Sequence, residues 1–296
     1  MSQIKIAHLI LCHTDPEMVK RTATRLAEFS DVYIHIDKKA DKEPFILQDD
    51  PRVFYLEKRY DVGWGTWTSV QAEVELIREA LSKGKEYDRL VLMQGLDYPI
   101  KSDHEIEAFF YANKDTEFIK GCMPLASPLD KIRYKVTVPH FSVCRNIFTK
   151  ALNVLFRKLN LEIRKGIISE NGKNYDLYWG SAQWALTGKC AGYIVDFYDS
   201  HDSFNRWFYM ASTVDELYFT TIVHNSRFRD NVPKAQVRSG DIGDFMNLDY
   251  FKYLPGHIKV FDEKDYDELT GLDGFLYARK MKSGESAKLL DLLDMK

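Results

Sequence analysis

Ile4-Lys5-Ile6-Ala7-His8-Leu9-Ile10-Leu11 is an almost continuous apolar run, which is typical of a strand buried on both faces of a parallel sheet. Residues 16–29 follow it with apolar side chains at helical spacing, and residues 32–36 form a second apolar run that ends at Asp37. A strand, a helix and a strand in this order predict a parallel β-α-β unit. The start of the chain therefore indicates an α/β fold with a Rossmann-like sheet.

The next segments continue the same alternation. Residues 69–81 have apolar side chains at helical spacing, and residues 89–93 form a buried strand that is followed by Gln94-Gly95-Leu96-Asp97. Ligands of open α/β sheets bind beyond the carboxyl ends of the strands. We therefore expect a mostly parallel sheet flanked by helices, with Asp37 and Asp97 close to a bound nucleotide.

The composition limits the class of protein. A chain of 296 residues that is 45% hydrophobic and 14% aromatic can bury the core of one large α/β domain. Its formal net charge of -3 provides no overall basic field. Nucleic acid is therefore not an expected partner.

Cysteine usage and hydropathy bear on the compartment. Cys12, Cys122, Cys144 and Cys190 lack the spacing of a metal site or a disulfide framework. No signal-peptide pattern precedes the first strand, and no apolar run reaches the roughly 18–20 residues that span a bilayer. We therefore expect reduced cysteines and a cytoplasmic protein.

Two adjacent carboxylates stand at the head of an apolar run in Ser212-Thr213-Val214-Asp215-Glu216-Leu217. We expect them in the first turn of a helix capped by Ser212 or Thr213, where unpaired N–H groups favour a negative charge. A carboxylate in this place is suited to act as a base. Acidic residues after a Ser or Thr cap are also common in helices without catalytic roles, and this alternative stays open.

A strip of polar and aromatic side chains precedes these carboxylates in Trp179-Gly180-Ser181-Ala182-Gln183-Trp184. Ser181 and Gln183 can form hydrogen bonds with sugar hydroxyls, and Trp184 can pack on the apolar face of a pyranose ring. The alternative is a buried strand with Trp184 in the core, because Ala185 and Leu186 continue as apolar residues.

Basic residues stand near the end of the chain, among them Lys259 and the pair Arg279 and Lys280. Solvated surface charges are the ordinary interpretation of such residues. The acidic sequence Asp265-Tyr266-Asp267 lies in a late, helix-like segment rather than at a strand end. We therefore expect no metal site.

Blocks of sequence along nearly the whole chain resemble the core-2/I-branching beta-1,6-N-acetylglucosaminyltransferases and their peptide O-xylosyltransferase relatives, the family 14 glycosyltransferases. The blocks are residues 4–13, 33–39, 64–72, 94–102, 179–184, 212–220 and 275–280, in family order. The resemblance implies a single GT-A glycosyltransferase domain over residues 1–296. Its nucleotide-sugar half is expected at about residues 1–120, and its acceptor and catalytic half at about 121–296.

The resemblance also implies the reaction. A sugar, expected to be N-acetylglucosamine, moves from a UDP-sugar to a hydroxyl of a glycan acceptor, with inversion to a β linkage and without a metal ion or other cofactor. Glu216 matches the base that takes the proton of the acceptor hydroxyl, and Asp215 is assigned to the acceptor site. Asp37 is expected to accept hydrogen bonds from the uracil or the ribose.

Further donor residues follow from the same resemblance. Lys280 matches the final lysine of the family, and Lys259 aligns with an upstream basic residue; both are expected to hold the diphosphate together with Arg279. Trp64 stands at the position of a family aromatic residue and is expected to stack on the base, with a core or hinge tryptophan as the alternative. Asp97 matches the Asp of a donor-site motif, Asp-Tyr-Pro-Ile-Lys.

Departures from the family leave alternatives. The Trp-Gly-Ser-X-Gln-Trp strip looks closer to the xylosyltransferase branch, so transfer from UDP-xylose is one alternative. Asp249 stands where relatives often carry Arg, which leaves acceptor recognition open. A non-catalytic carbohydrate-binding protein is an alternative of another class, and the presence of Glu216 and Lys280 argues against it. Animal members are anchored Golgi proteins with disulfides, whereas this sequence indicates a prokaryote-like cytoplasmic version.

A basic amphipathic segment occupies residues 148–159. Phe148, Leu152, Leu155, Phe156 and Leu159 recur at helical spacing, flanked by basic residues that include Arg145, Lys150, Arg157 and Lys158. Such a segment can lie on the inner face of an anionic membrane, which would suit a lipid-linked oligosaccharide acceptor. The alternative is a helix that packs its apolar face on the domain.

Overall fold

The computed structural model describes residues 4–48, 50–82, 84–126, 130–141, 147–159, 161–162, 164–235 and 242–296, without the side chains of 130–132 and 134. Its strands are β1 (Ile6–Cys12), β2 (Asp31–Ile36), β3 (Val53–Tyr55), β4 (Arg89–Gln94), β5 (Asp97–Pro99), β6 (Gly121–Cys122), β7 (Ile167–Glu170), β8 (Lys173–Asp176), β9 (Trp179–Gly180), β10 (Ala185–Thr187), β11 (Asp249–Phe251), β12 (Tyr253–Leu254), β13 (His257–Ile258) and β14 (Tyr277–Arg279). Its helices are α1 (Pro16–Ala27), α2 (Trp67–Ser82), α3 (Asp103–Ala112), α4 (Asp130–Thr137), α5 (Ile147–Lys158), α6 (Gly188–Ser200), α7 (Asp202–Trp207), α8 (Tyr218–His224), α9 (Tyr266–Thr270) and α10 (Ala287–Asp294).

The central sheet has the strand order β10-β4-β1-β2-β3. The strands β3, β2, β1 and β4 run parallel, and β10 pairs antiparallel with β4. In this sheet Leu9 lies opposite Tyr33 on one side and Leu92 on the other. The predicted α/β fold, with a mostly parallel sheet flanked by helices, is therefore confirmed.

The apolar run of β1 is explained by helices on both faces of the sheet. Successive side chains of a strand point to opposite faces. Leu9 accordingly packs in a core cluster with Val70 of α2, whereas Ile10 packs in a second cluster with Val19 of α1. Every residue of β1 is buried as a result.

A second sheet joins distant parts of the chain in the order β11-β14-β5. Strand β14 runs parallel to β11 and antiparallel to β5, so that Arg279 lies opposite both Phe251 and Asp97. The buried imidazole of His8 links the two sheets, because its Nε2 lies 2.8 Å from the hydroxyl of Tyr277. Strands from both predicted halves thus share sheets, and the division into halves stays a prediction.

Helix α5 covers the predicted amphipathic segment, but none of its described side chains is buried. The side chain of Phe148 is 76% exposed, and those of Leu152, Leu155 and Leu159 are exposed as well. Phe156 is half-buried and packs against Phe141, so α5 packs only part of the predicted apolar face on the domain. Arg145 lies outside the described residues.

Two further findings concern the helices and the cysteines. Among the described residues, no helix combines the length and the apolar character needed to cross a bilayer. Cys12, Cys122 and Cys190 carry free thiols, as predicted, and Cys144 lies outside the described residues.

Candidate active site

A cavity of about 510 Å³ opens where β1 and β4 end, at the sheet edge where the sequence predicts a ligand. The end of β1 contributes Leu11 and Cys12 to its wall, and the turn after β4 contributes Gly95. Most of the predicted site residues also line this cavity. They are Trp64, Ser181, Gln183, Asp215, Glu216, Arg279 and Lys280.

Glu216 is held in this cavity by two donors. The Nζ atom of Lys135 lies 2.6 Å from its Oε2, and the indole Nε1 of Trp179 donates a hydrogen bond of 2.6 Å to the same oxygen. The ammonium group of Lys135 also lies 5.2 Å from the centre of the Trp179 ring. The sequence analysis did not predict either donor. Lys135 lies on α4, 81 residues before Glu216, and Trp179 lies on β9. Trp179 was nevertheless visible as the first residue of the polar and aromatic strip.

Asp215 and Glu216 do not begin a helix as the sequence predicted. They lie in a short 3-10 turn, Val214–Glu216, and α8 begins after it at Tyr218. Thr213 precedes the turn with a left-handed backbone, φ 49°, and its side chain makes no capping hydrogen bond. The predicted Ser or Thr cap is therefore wrong. The backbone N–H of Glu216 donates instead to the Thr213 carbonyl and to Oδ1 of Asp215.

Behind Asp215 lies a second carboxyl group that sequence reasoning missed. Glu73 of α2 is fully buried, and neither of its side-chain oxygens has a hydrogen-bond partner in the described part of the chain. Burial, and then the charge of Asp215, raises the pKa of Glu73 well above its usual range. Burial and the neighbouring Glu216 raise the pKa of Asp215 to about 6. A glutamate inside a helical apolar pattern was the available signal.

Arg279 and Lys280 form the basic side of the cavity. Burial, and then the charges of Arg279 and Lys282, lowers the pKa of Lys280. Such a concentration of positive charge is suited to an anion such as a diphosphate. The alternative of ordinary solvated charges does not fit Arg279, whose side chain is 16% exposed.

Asp97 and Asp249 lie behind Arg279 rather than in the cavity wall. The Oδ1 atom of Asp97 is 3.4 Å from the Nε of Arg279, and its Oδ2 accepts a hydrogen bond from the backbone N–H of Gln94. Burial, and then the Asp97 carboxylate, raises the pKa of Asp249 well above its usual range. The structure thus places Asp97 where it supports a basic residue of the wall.

The structure does not bring Lys259 to this cavity. Its Nζ lies 2.5 Å from Oδ1 of Asp265, a buried carboxylate that also caps a 3-10 turn. Its neighbour Ile258 lines the cavity instead. The expected contact of Lys259 with a diphosphate therefore finds no support, because the side chain is committed to an ion pair.

Trp64 and Asp37 mark the edge of the site. The side chain of Trp64 is 84% exposed, which excludes the alternative of a core tryptophan. Asp37 does not line the main cavity, but it lines an adjoining one of about 340 Å³ that shares Trp64 and Asp215 with it. The carboxylate of Asp37 accepts a hydrogen bond from the backbone N–H of Lys39.

The polar and aromatic strip divides between the cavity and the core. Ser181 and Gln183 line the cavity, and the Ser181 hydroxyl donates a hydrogen bond of 3.0 Å to Oε1 of Gln183. Trp184 is 2% exposed and packs against Phe219, so the prediction of a sugar contact by Trp184 is wrong. Its alternative, a core tryptophan just before β10, is correct.

In the part of the chain that the structure describes, no three or more His, Cys, Asp or Glu side chains are grouped to hold a metal ion.

Comparisons with known proteins identify the family of this chain. The family model "Core-2/I-Branching enzyme" matches residues 6–241. A mouse N-acetyllactosaminide beta-1,6-N-acetylglucosaminyl-transferase is 22% identical over 196 residues, which are 64% of this chain and 45% of that protein. A zebrafish beta-1,3-galactosyl-O-glycosyl-glycoprotein beta-1,6-N-acetylglucosaminyltransferase 4 is 18% identical over 273 residues, 90% of this chain and 59% of that protein.

A mouse beta-1,3-galactosyl-O-glycosyl-glycoprotein beta-1,6-N-acetylglucosaminyltransferase 3 is 29% identical over 137 residues, 44% of this chain and 31% of that protein. The chain thus spans between 31% and 59% of the length of these relatives. The family model covers well over half of the chain, from β1 through the carboxylates at 215 and 216. The family predicted from the sequence is confirmed, and the chain belongs to the core-2/I-branching enzyme family.

Proposed function

We propose that this protein transfers N-acetylglucosamine from UDP-N-acetylglucosamine to a hydroxyl of a glycan acceptor, with inversion to a β linkage. The proposal rests on the side chains that line one cavity. A carboxylate held by two donors, Glu216, shares it with two cationic side chains, Arg279 and Lys280. Beta-1,6-N-acetylglucosaminyl transfer is the activity named for the relatives.

In the proposed reaction, Glu216 accepts the proton of the acceptor hydroxyl while the hydroxyl oxygen attacks the anomeric carbon. The bond from the anomeric carbon to the diphosphate breaks, and UDP leaves with the bonding electron pair. One displacement turns the α linkage of the donor into a β linkage. A positioned base of this kind contributes about 10²–10⁴ in rate.

We assign the stabilisation of the negative charge that develops on UDP to Arg279 and Lys280. Fixed cationic donors in a partly dry cavity stabilise such a charge strongly. We therefore propose transfer without a metal ion, with Trp64 stacking on the base and Asp37 accepting from the uracil or ribose. Activity is expected to survive exhaustive EDTA treatment. Loss of activity in EDTA with recovery in manganese would overturn this part of the proposal.

A panel of UDP-sugars tests the donor. A ligand raises the melting temperature according to the ratio of its concentration to its dissociation constant, so thermal shift ranks the candidates. We expect UDP-N-acetylglucosamine to stabilise most and to be slowly hydrolysed. A larger effect of UDP-xylose would favour the xylosyltransferase alternative. Binding of glycans without UDP-sugar binding or hydrolysis would favour a non-catalytic carbohydrate-binding protein.

The acceptor is proposed to lie at an anionic membrane surface, on the cytoplasmic side. This proposal is supported by α5, whose exposed Phe148 and Leu155 are accompanied by the exposed Lys158 on the same short helix. Exposed apolar groups beside basic ones are suited to the interface of an anionic bilayer. A lipid-linked oligosaccharide would meet the active site there.

A further inference from the structure

A second cavity, of about 560 Å³, adjoins the candidate active site. The two cavities share Trp64 in their walls. Lys135 also lines the second cavity, while its Nζ forms the ion pair with Glu216. A ligand in the second cavity would therefore lie beside the group that holds the proposed base.

The wall of this second cavity is basic. Lys135, His140, Lys150 and Arg157 line it, and no carboxylate is among its described lining residues. The chain as a whole carries a formal net charge of -3, so this concentration of positive charge is local. Burial, and then the charge of Arg157, lowers the pKa of His140, so its imidazole is neutral near pH 7, and the positive charge of the wall comes from Lys150, Arg157 and the ion-paired Lys135.

The basic wall is built by one face of α5. Lys150, Asn153 and Arg157 are spaced three and four residues apart, so they lie on the same side of the helix. The Asn153 side chain accepts a 2.8 Å hydrogen bond from the backbone N–H of Phe141 and donates a 3.3 Å one to its carbonyl. This pair of bonds orients the face of α5 that carries Lys150 toward the cavity.

We propose that this cavity, hereafter the basic cavity, binds the phosphate of a phosphorylated acceptor whose reacting hydroxyl extends to Glu216. The inference rests on the proposed function and adds the class of acceptor. Phosphate is favoured because ammonium and guanidinium groups form charge-assisted hydrogen bonds with its oxygens. The cavity has room for a phosphate together with an attached sugar. The phosphate can belong to a soluble sugar phosphate or to a lipid-linked one.

Calorimetry in saturating UDP tests the inference, because UDP fills the other anion site. Glucose 6-phosphate is expected to bind about tenfold or more tightly than glucose. Lys150→Glu, with Lys150→Gln as a milder second variant, should remove this advantage. Lys158→Glu is the matched control: it makes the same charge change on the same exposed helix but outside the basic cavity, and it should keep the advantage.

Equal binding of glucose and its phosphate, or equal effects of Lys150→Glu and Lys158→Glu, would overturn the inference. A measurement of UDP affinity distinguishes refutation of the phosphate site from refutation of the proposed function. If the protein binds and hydrolyses the UDP-sugar but binds glucose 6-phosphate no more tightly than glucose, only the proposed phosphate site in the basic cavity is refuted. A protein that does not bind UDP lacks the proposed function.

Vesicles distinguish the two sources of phosphate. Phosphatidylcholine vesicles that contain a polyprenyl phosphate are compared with vesicles of matched charge that contain phosphatidylglycerol. Preference for polyprenyl phosphate that Lys150→Glu abolishes would support the inference with a lipid-linked acceptor. If that preference is absent but glucose 6-phosphate binds tightly, the result would support the inference with a soluble sugar phosphate as the acceptor.

Discussion

Lys135 and Glu216 form an ion pair of 2.6 Å across 81 residues of sequence, and Glu216 lines the cavity that contains the basic pair Arg279 and Lys280. Trp179 donates to the same oxygen, Oε2. The hydrogen bonds that described side chains make to Glu216 therefore converge on Oε2, which leaves Oε1 for the hydroxyl of an acceptor. This arrangement fixes the orientation of the carboxylate before any substrate binds.

Glu216→Gln should abolish transfer while leaving UDP binding nearly unchanged. The substitution preserves the size of the side chain but removes the proton acceptor, and loss of a general base costs about 10²–10⁴ in rate. Turnover and UDP affinity are measured on the same preparation. If the variant retained more than about a tenth of the turnover, Glu216 would not be the base, and Asp215 would be the next candidate.

Lys135→Met should raise the pH at which the Asp215 carboxyl loses its proton, as measured by NMR titration of that carboxyl. The pKa of Asp215 is raised to about 6, and the charge of Lys135 opposes that rise. Removing the cation makes the deprotonated carboxylate less favourable, so Asp215 holds its proton to a higher pH. Arg133→Met is the control, because Arg133 lies on the same helix but pairs with Glu162 at 2.9 Å. Coincident titration curves for wild type and Lys135→Met would refute this account.

Lys280→Ala should weaken the binding of UDP more than that of uridine, because the lysine is assigned to the diphosphate. Removing a charge-assisted hydrogen bond typically costs about 1.5–3 kcal/mol. Lys259→Ala is the matched control, since the Lys259 side chain pairs with Asp265 outside the cavity. Affinities for both ligands are measured by calorimetry. A similar loss of UDP affinity in the two variants would show that Lys280 has no particular role.

Phe148→Ser combined with Leu155→Ser should reduce sedimentation with anionic vesicles. Both side chains are exposed on α5, so the change removes apolar contact with the membrane without opening the core. Each nearby basic residue should add about 1 kcal/mol at an anionic surface, and that part should fade with salt.

Ile167→Ser is the control for the membrane experiment, because Ile167 is exposed but lies on β7 rather than on α5. Changing Arg157 and Lys158 to Glu tests the electrostatic part separately. Equal binding to neutral and anionic vesicles, or no binding to either, would exclude an electrostatic membrane contact of α5.

His8 should make the protein less stable as the pH falls from about 6.5 toward 3. Burial lowers the pKa of His8 from 6.5 to about 3, so in this range the unfolded chain binds a proton that the folded chain does not. The free energy of unfolding should fall by about 1.4 kcal/mol per pH unit for such a group.

Urea unfolding across this pH range measures the effect of His8. His8→Gln should be less stable at neutral pH, because contacts with Ser30 and Tyr277 change, but its stability should depend less steeply on pH. His104→Gln, at an exposed position on α3, should retain the slope of the wild type. Parallel slopes for His8→Gln and wild type would contradict the prediction.

Several elements were predictable because their signals are local. The apolar run of β1 indicates burial on both faces of the sheet, and the helical spacing of α2 indicates burial of one face of a helix. Both patterns depend only on residues that are close in sequence. Block order along the chain identified the family. The same local signals were misleading at residues 212–216, where a Ser-Thr pair before two acids looks like a capped helix but forms a 3-10 turn.

Local patterns could not decide which polar side chains share a cavity. Lys259 and Arg279 look alike in sequence, yet one pairs with Asp265 and the other lines the cavity. Trp64 and Trp184 likewise differ only in the structure, with one at the cavity edge and the other in the core. Burial and partner choice for a long side chain depend on elements that are distant in sequence.

The sequence by itself determined the α/β class, the family and the two carboxylates at 215 and 216, because periodicity and motif order are properties of the chain. Only the tertiary structure decided that Lys135 and Trp179 hold Glu216, and that Glu73 lies buried behind Asp215. The physical reason is that hydrogen bonds and ion pairs depend on distances of a few ångströms. Packing of α2, α4 and β9 sets those distances, and spacing along the chain does not.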